Sequence, residues 1–224
     1  RQVLDPADPV SIGAMVGPEA FMEVRYLAHV KQRQALDLIP AWAREFEQVV
    51  GRKAGGLVRS YRCEDADMVV VSMGSVLGTL KDTVDQLREE GMKVGVLGIH
   101  CFRPWPAAAI REALGSAKRV LVVEKSLAVG LGGVVAANVA GAYHGHDANV
   151  HTVIAGLGGR AITRASLRKL LEAGMAGELE RITFLDLDQE MVDRALERER
   201  STRRSGPIAE ALLRDIGVVA ARPA

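Results

Sequence analysis

Cysteine is nearly missing from this sequence: only Cys63 and Cys101 occur in 224 residues. Two thiols make no disulfide framework, and an iron-sulfur cluster takes about four cysteine ligands. A reducing cytoplasm is the expected compartment, and no cluster is expected on this segment. Aromatics are sparse at 4%, which leaves no series of rings on which nucleic-acid bases could stack. An excess of one charge is absent too. Lys plus Arg number 29 against 28 Asp plus Glu, so no long-range field draws nucleic acid or anionic lipid. The longest uncharged apolar run, from Gly130 to Tyr143, falls short of the about 20 residues that span a bilayer. The expectation is a soluble protein with neither nucleic acid nor a membrane as partner.

What is present is the composition of an ordinary globular domain, 48% hydrophobic and 25% charged, with 23 glycines that suit tight strand-to-helix turns. The opening residues, with Pro6, Pro9 and Pro18 and no sustained period, read as a linker leaving an earlier domain, so a fragment is expected. From Phe21 to Val50, the positions Leu38, Trp42, Phe46 and Val49 fall on one helical stripe. Pro40 lies inside that pattern and is expected to kink the helix or divide it in two.

Strand and helix patterns then alternate. "ADMVVVSMGS", "KVGVLGI", "KRVLVVEK", "VHTVIAG" and "RITFLDL" read as five strands, being short apolar runs rich in β-branched residues. The intervening helices show one apolar face each, with Gly91 as a left-handed stop after the first and with Pro106 and Gly115 bracketing the second. Such alternation specifies an α/β fold with a three-layer, mostly parallel five-stranded sheet. Residues 133–143 are apolar nearly all round, with Gly133, Ala137 and Gly141 in one small-residue row, and are expected to be buried between the sheet and something else. The tail reads as a charged helix, a break at Ser205-Gly206-Pro207 and a short amphipathic helix. The expected organisation is a linker and long helix over 1–55, the α/β domain over 56–188 and a helical tail over 189–224.

Several stretches invite chemistry. A dinucleotide fingerprint requires its glycines directly after a strand, whereas Val135 stands at the third glycine position of the run that starts at Gly130, and Ser126 to Val129 separate that run from the strand. A non-dinucleotide anion could use the free N–H groups of that turn; close helix packing explains the same glycines and is the preferred reading. Ser75, Gly78 and Thr79 lie where a strand feeds a helix and N–H groups concentrate. They are candidate anion contacts, with helix capping as the plainer role. Arg160, just beyond the fourth strand, is a further contact candidate. His144, His146, Asp147 and His151 suggest a metal, but without a helical spacing or a nearby cysteine no metal site is assigned. Cys101 follows His100 on a strand, where adjacent side chains point to opposite faces and cannot readily share a proton. The run Arg194, Arg198, Arg200, Arg203 and Arg204, broken by Glu197 and Glu199, reads as a solvated helix with internal ion pairs. No catalytic residue is assigned.

"GPEAFMEVRY", "YRCEDADMVVVSMGS", "LREEGMKVGVLGIHCFRPWP", "GLGG" and "IAGLGGRAIT" together resemble the alpha subunit of pyruvate:ferredoxin oxidoreductases. The resemblance covers most of the chain and implies its C-terminal part, a domain similar to the C-terminal domain of transketolase. It departs at Glu124-Lys125, where many relatives carry Asp-Arg, and at Ala161, where they carry an acidic residue. Such enzymes use thiamine diphosphate with Mg to decarboxylate a 2-oxoacid, pass electrons through iron-sulfur clusters to ferredoxin and hand the acyl group to coenzyme A. No Gly-Asp-Gly run begins a thiamine diphosphate motif in this sequence. The resemblance therefore implies a non-catalytic structural and assembly domain whose cofactors and partners, including an oligomeric interface, lie in the full complex. Two alternatives stay open: a free-standing α/β domain binding an anionic metabolite, and the C-terminal segment of another thiamine enzyme.

Overall fold

Leu38, Trp42, Phe46 and Val49 sit on one continuous helix, α1 (Phe21–Val50), which ends where Gly51 turns left-handed and donates its N–H to Glu47 O at 2.8 Å. Pro40 does not divide it: helical geometry carries on through Val50. In this computed structural model the described residues are 3–10, 13, 15–115, 117–143, 149–201 and 208–218. The break expected at Ser205-Gly206-Pro207 lies outside them.

After α1 the chain runs β1 (Val58–Tyr61), β2 (Met68–Ser72), α2 (Val76–Glu89), β3 (Val94–Ile99), α3 (Ala107–Leu114), β4 (Arg119–Glu124) and α4 (Val134–Ala142). It continues through β5 (Asn149–Ile154), a 3-10 turn at Leu157–Gly159, α5 (Arg164–Ala176), β6 (Ile182–Phe184), α6 (Gln189–Ser201) and α7 (Ile208–Asp215). Among the described residues the sheet has six strands in the order β1-β3-β2-β4-β5-β6, parallel except at β1. The five strands expected from the sequence are all there. The sixth, β1, pairs antiparallel with β3, Val58 opposite Ile99 and Tyr61 opposite Val96. Its four residues form an edge strand with one neighbour, half-exposed rather than buried, so the apolar run that marks the other strands is missing. Tyr61 ties this edge down by donating its hydroxyl to the Asp85 carboxylate on α2 at 2.8 Å.

The strict two-residue alternation of strand side chains builds the layers. Met68 and Val70 point to one face, where Leu80, Val84 and Leu87 of α2 and Leu167, Leu170 and Leu171 of α5 cover them. Val69 and Val71 point to the other, beneath Ile110 and Leu114 of α3 and Val135 and Val139 of α4. Each such buried aliphatic side chain contributes about 1.5–3 kcal/mol, which makes β2, buried along its whole length, the centre of the core.

Two expectations need correction. Helix α4 is buried on one side only: Val135, Ala136, Val139 and Ala142 face the sheet, while Val134, Ala137 and Gly141 are exposed. Nothing lies within 4 Å of a Cβ built on Gly141, so the small-residue row is not a packing seam within this chain. Pro106 occupies the N-cap of α3 rather than its first turn, its carbonyl accepting the N–H of Ile110 at 3.0 Å. The tail helices are joined by an ion pair between Arg198 and Asp215 at 3.1 Å.

Candidate functional site

The sheet order places β2 beside β4, and the chain leaves these two strands in opposite directions, through α2 on one face and α4 on the other. In open α/β sheets the crevice outside the carboxyl ends of such a strand pair is where ligands bind. Here it is a cleft of about 350 Å³ whose floor is Ser72 and Val123, with Gly74, Ser75 and Val76 on one wall and Lys125 and Ser126 on the other. Ser72 is buried and donates its hydroxyl to Val123 O at 2.7 Å, fastening the two strand ends together.

Ile162 closes the cleft from above, and it does so because of an unusual crossover. Strand β6 continues the direction taken from β4 to β5, yet α5 lies on the face of α2 rather than that of α4. The unit β5-α5-β6 thus has the opposite hand to the three before it, against a strong preference for one hand. Returning to that face brings the segment before α5 over the cleft, where Ile162 and the stem of Lys125 both crowd Gly156. The cap of α5 is conventional: Thr163 Oγ1 accepts the N–H of Ser166 at 3.0 Å.

The glycine-rich stretch is occupied from within. Glu124, 7% exposed, accepts the N–H of Val135 and of Ala136 at 2.8 Å each. Its two carboxylate oxygens thereby fill the positive end of α4, where a phosphate would otherwise sit. The chain reaches this arrangement through a tight loop in which Ala128 and Gly132 exchange backbone hydrogen bonds. The sequence signal was present, as an acid at the end of a strand ten residues before a helix start, but nothing local indicates that the two meet.

The candidates singled out from sequence do not converge. Ser75 lines the cleft, at the N-cap of α2, and makes no side-chain cap hydrogen bond. Gly78 borders open space and Thr79 uses its carbonyl to accept Thr83 Oγ1 at 2.8 Å, both inside α2. Arg160 donates to the carbonyl of Asp186, a residue with φ of 58° after β6. His151 lies with Nδ1 at 3.2 Å from Glu180 O; His144, His146 and Asp147 fall outside the described residues. Cys101 Sγ donates to Pro104 O at 3.5 Å, away from His100, whose ring packs on Gly55. In the basic run, Arg194 pairs with Glu190 at 3.6 Å; Arg203 and Arg204 are outside the described residues. No described helix is long and apolar enough to cross a membrane.

Among known proteins, residues 66–167 match the family described as pyruvate:ferredoxin oxidoreductase core domain II. The chain is 38% identical over 199 residues to the pyruvate synthase subunit PorA of Methanosarcina barkeri, covering 86% of this chain and 50% of that protein. It is 36% identical over 188 residues to the pyruvate synthase subunit PorA of Methanothermobacter thermautotrophicus, covering 84% and 48%. To the ketoisovalerate oxidoreductase subunit VorA of Pyrococcus horikoshii it is 32% identical over 170 residues, covering 75% and 43%. The chain spans about half the length of the curated relatives it matches.

Proposed function

We propose, from the match of residues 66–167 to the pyruvate:ferredoxin oxidoreductase core domain II family, that this chain is a structural and assembly module of the alpha subunit of a 2-oxoacid:ferredoxin oxidoreductase. The 2-oxoacid is pyruvate, converted with coenzyme A to acetyl-CoA and CO2 while ferredoxin is reduced. Residues 56–188 form the α/β unit, with 1–55 as linker and long helix and 189–224 as the tail; the complex works in the cytoplasm. Thiamine diphosphate, Mg and iron-sulfur clusters are carried by other parts of that complex.

The observation that supports a scaffolding role is the occupation of α4's N-terminus by Glu124. Among the described residues no three His, Cys, Asp or Glu side chains group at a metal position. Glu124, the one buried carboxylate among the described residues at the carboxyl ends of the strands, is engaged by two N–H groups, so these residues do not fit a magnesium diphosphate. The exposed apolar tip of the loop before α4, Val129 at 92% and Leu131 at 70% exposure, together with Val134, gives a surface suited to a neighbouring subunit. Measuring thiamine diphosphate binding and pyruvate-dependent ferredoxin reduction by residues 1–224 alone tests the reading. No binding and no turnover are expected, and activity without partners would defeat it.

A second reading has its own observation: Ser75 stands uncapped in a cleft at the sheet's switch point, beside Lys125. A free-standing domain could take a small anionic metabolite there, with Ser75 as the contact and with Gly78, Thr79 and Arg160 outside the lining. Calorimetry with coenzyme A, acyl phosphates and nucleotides separates the two readings, because a micromolar complex is worth about 8 kcal/mol.

A further inference from the structure

Helix α1 contains no buried residue. Pro40, Ala43 and Glu47 line a groove against Val58, Arg59 and Ala109, so that side looks toward the α/β unit. At about 100° per residue the opposite side carries Leu38, Trp42 and Val49, which are 45%, 62% and 80% exposed. From Val24 to Val49 this outer stripe recurs at alternating steps of four and three residues, the seam spacing of a coiled coil.

The two halves of the stripe differ in a complementary way. Its N-terminal half presents Ala28, Lys31 and Ala35, small side chains around a cation; its C-terminal half presents Leu38, Trp42 and Glu45, bulky side chains beside an anion. We propose that α1 pairs antiparallel with α1 of a second copy of this chain, about a two-fold axis midway between Ala35 and Leu38. In that register Ala35 faces the second copy's Leu38, Lys31 faces its Trp42, and Val24 faces its Val49. Glu45 then falls opposite the second copy's Ala28, one layer from its Lys31. The indole fills the space left by two alanines, with an ammonium over its face, and each charge finds its opposite. A parallel pair would instead stack Trp42 on Trp42, Lys31 on Lys31 and Glu45 on Glu45. A two-fold interface must be self-complementary, and only the antiparallel arrangement makes this stripe so. With a formal net charge of +1, two copies approach without overall repulsion. The pairing stands independently of the assembly role proposed above.

The test is sedimentation equilibrium of the 224-residue chain beside Lys31→Glu, Glu45→Lys and the variant carrying both changes. All positions are exposed, and far-UV circular dichroism checks that each variant keeps its helices. The expected mass of the unsubstituted chain is twice 24.0 kDa at micromolar concentration. Either single reversal brings like charges together and raises the dimer dissociation constant about tenfold or more; the double reversal restores it. Trp42→Ala weakens the dimer without any change of charge. A monomeric chain, which would leave the stripe to a different subunit, overturns the proposal, as does a dimer indifferent to the single reversals or a double variant no tighter than the singles.

Discussion

A Cβ placed on Gly133 would lie 2.1 Å from Oε1 of Glu124. The missing side chain at 133 is therefore what lets the carboxylate at the end of β4 reach the first N–H groups of α4. Two residues far apart in the sequence pattern, a strand-end acid and a loop glycine, form one device that closes the helix N-terminus.

Gly133→Ala should destabilise the fold by about 1–3 kcal/mol through overpacking, and Glu124→Ala by about 1.5–3 kcal/mol through loss of charge-assisted hydrogen bonds. Because the alanine methyl would enter the space the carboxylate vacates, the double variant should cost less than the sum by at least about 0.5 kcal/mol. Urea denaturation of the four proteins gives the coupling. Strict additivity would mean that the two residues do not share this space.

Burial pushes the Cys63 thiol above its ordinary range. Its Sγ sits 3.3 Å from Val96 O, under the edge of the sheet. In a Cys101→Ser background, the alkylation rate of Cys63 by iodoacetamide should rise with a midpoint above about pH 8.5, the usual thiol value. A midpoint at or below that value would show a solvated thiol instead.

Three solvent-accessible carboxylates sit below their ordinary range, each chiefly through a hydrogen bond from a cation: Asp65 from Arg88, Asp67 from Lys118 and Glu90 from Arg168. A folded-state value below the unfolded one, about 3.9 for Asp and 4.3 for Glu, gives stability that is complete above the unfolded value and lost as pH falls through the folded one. The melting temperature should therefore drop below about pH 4, and the variant Asp65→Asn, Asp67→Asn, Glu90→Gln should show a shallower drop. Exposure keeps the effect small, so the slope of melting temperature against pH is the quantity to compare. Equal slopes would assign the acid sensitivity elsewhere.

The parallel strands were legible because burial on both faces leaves an uninterrupted apolar run, as in Met68 to Val71. Edge strand β1 was not, since exposed residues such as Arg59 and Ser60 carry no such run. Helix α4 looked fully buried because alanine and glycine count as apolar wherever they lie; only contact with the sheet separates buried Val139 from exposed Ala137. Ser75 could be placed at a strand-to-helix turn from its neighbours alone. That it faces Lys125 and Ser126 across a cleft depends on β2 lying beside β4, and no local pattern encodes that pairing.

Local periods and turn chemistry act between residues a few positions apart, and they alone determined the α/β class, the apolar faces of α2 and α5 and the glycine stop after α2. Strand order, the reversed hand of β5-α5-β6 and the seating of Glu124 in α4 were decided only by the assembled layers. Each brings together groups that the chain separates widely, and their meeting depends on which side chains best fill the space between helix and sheet.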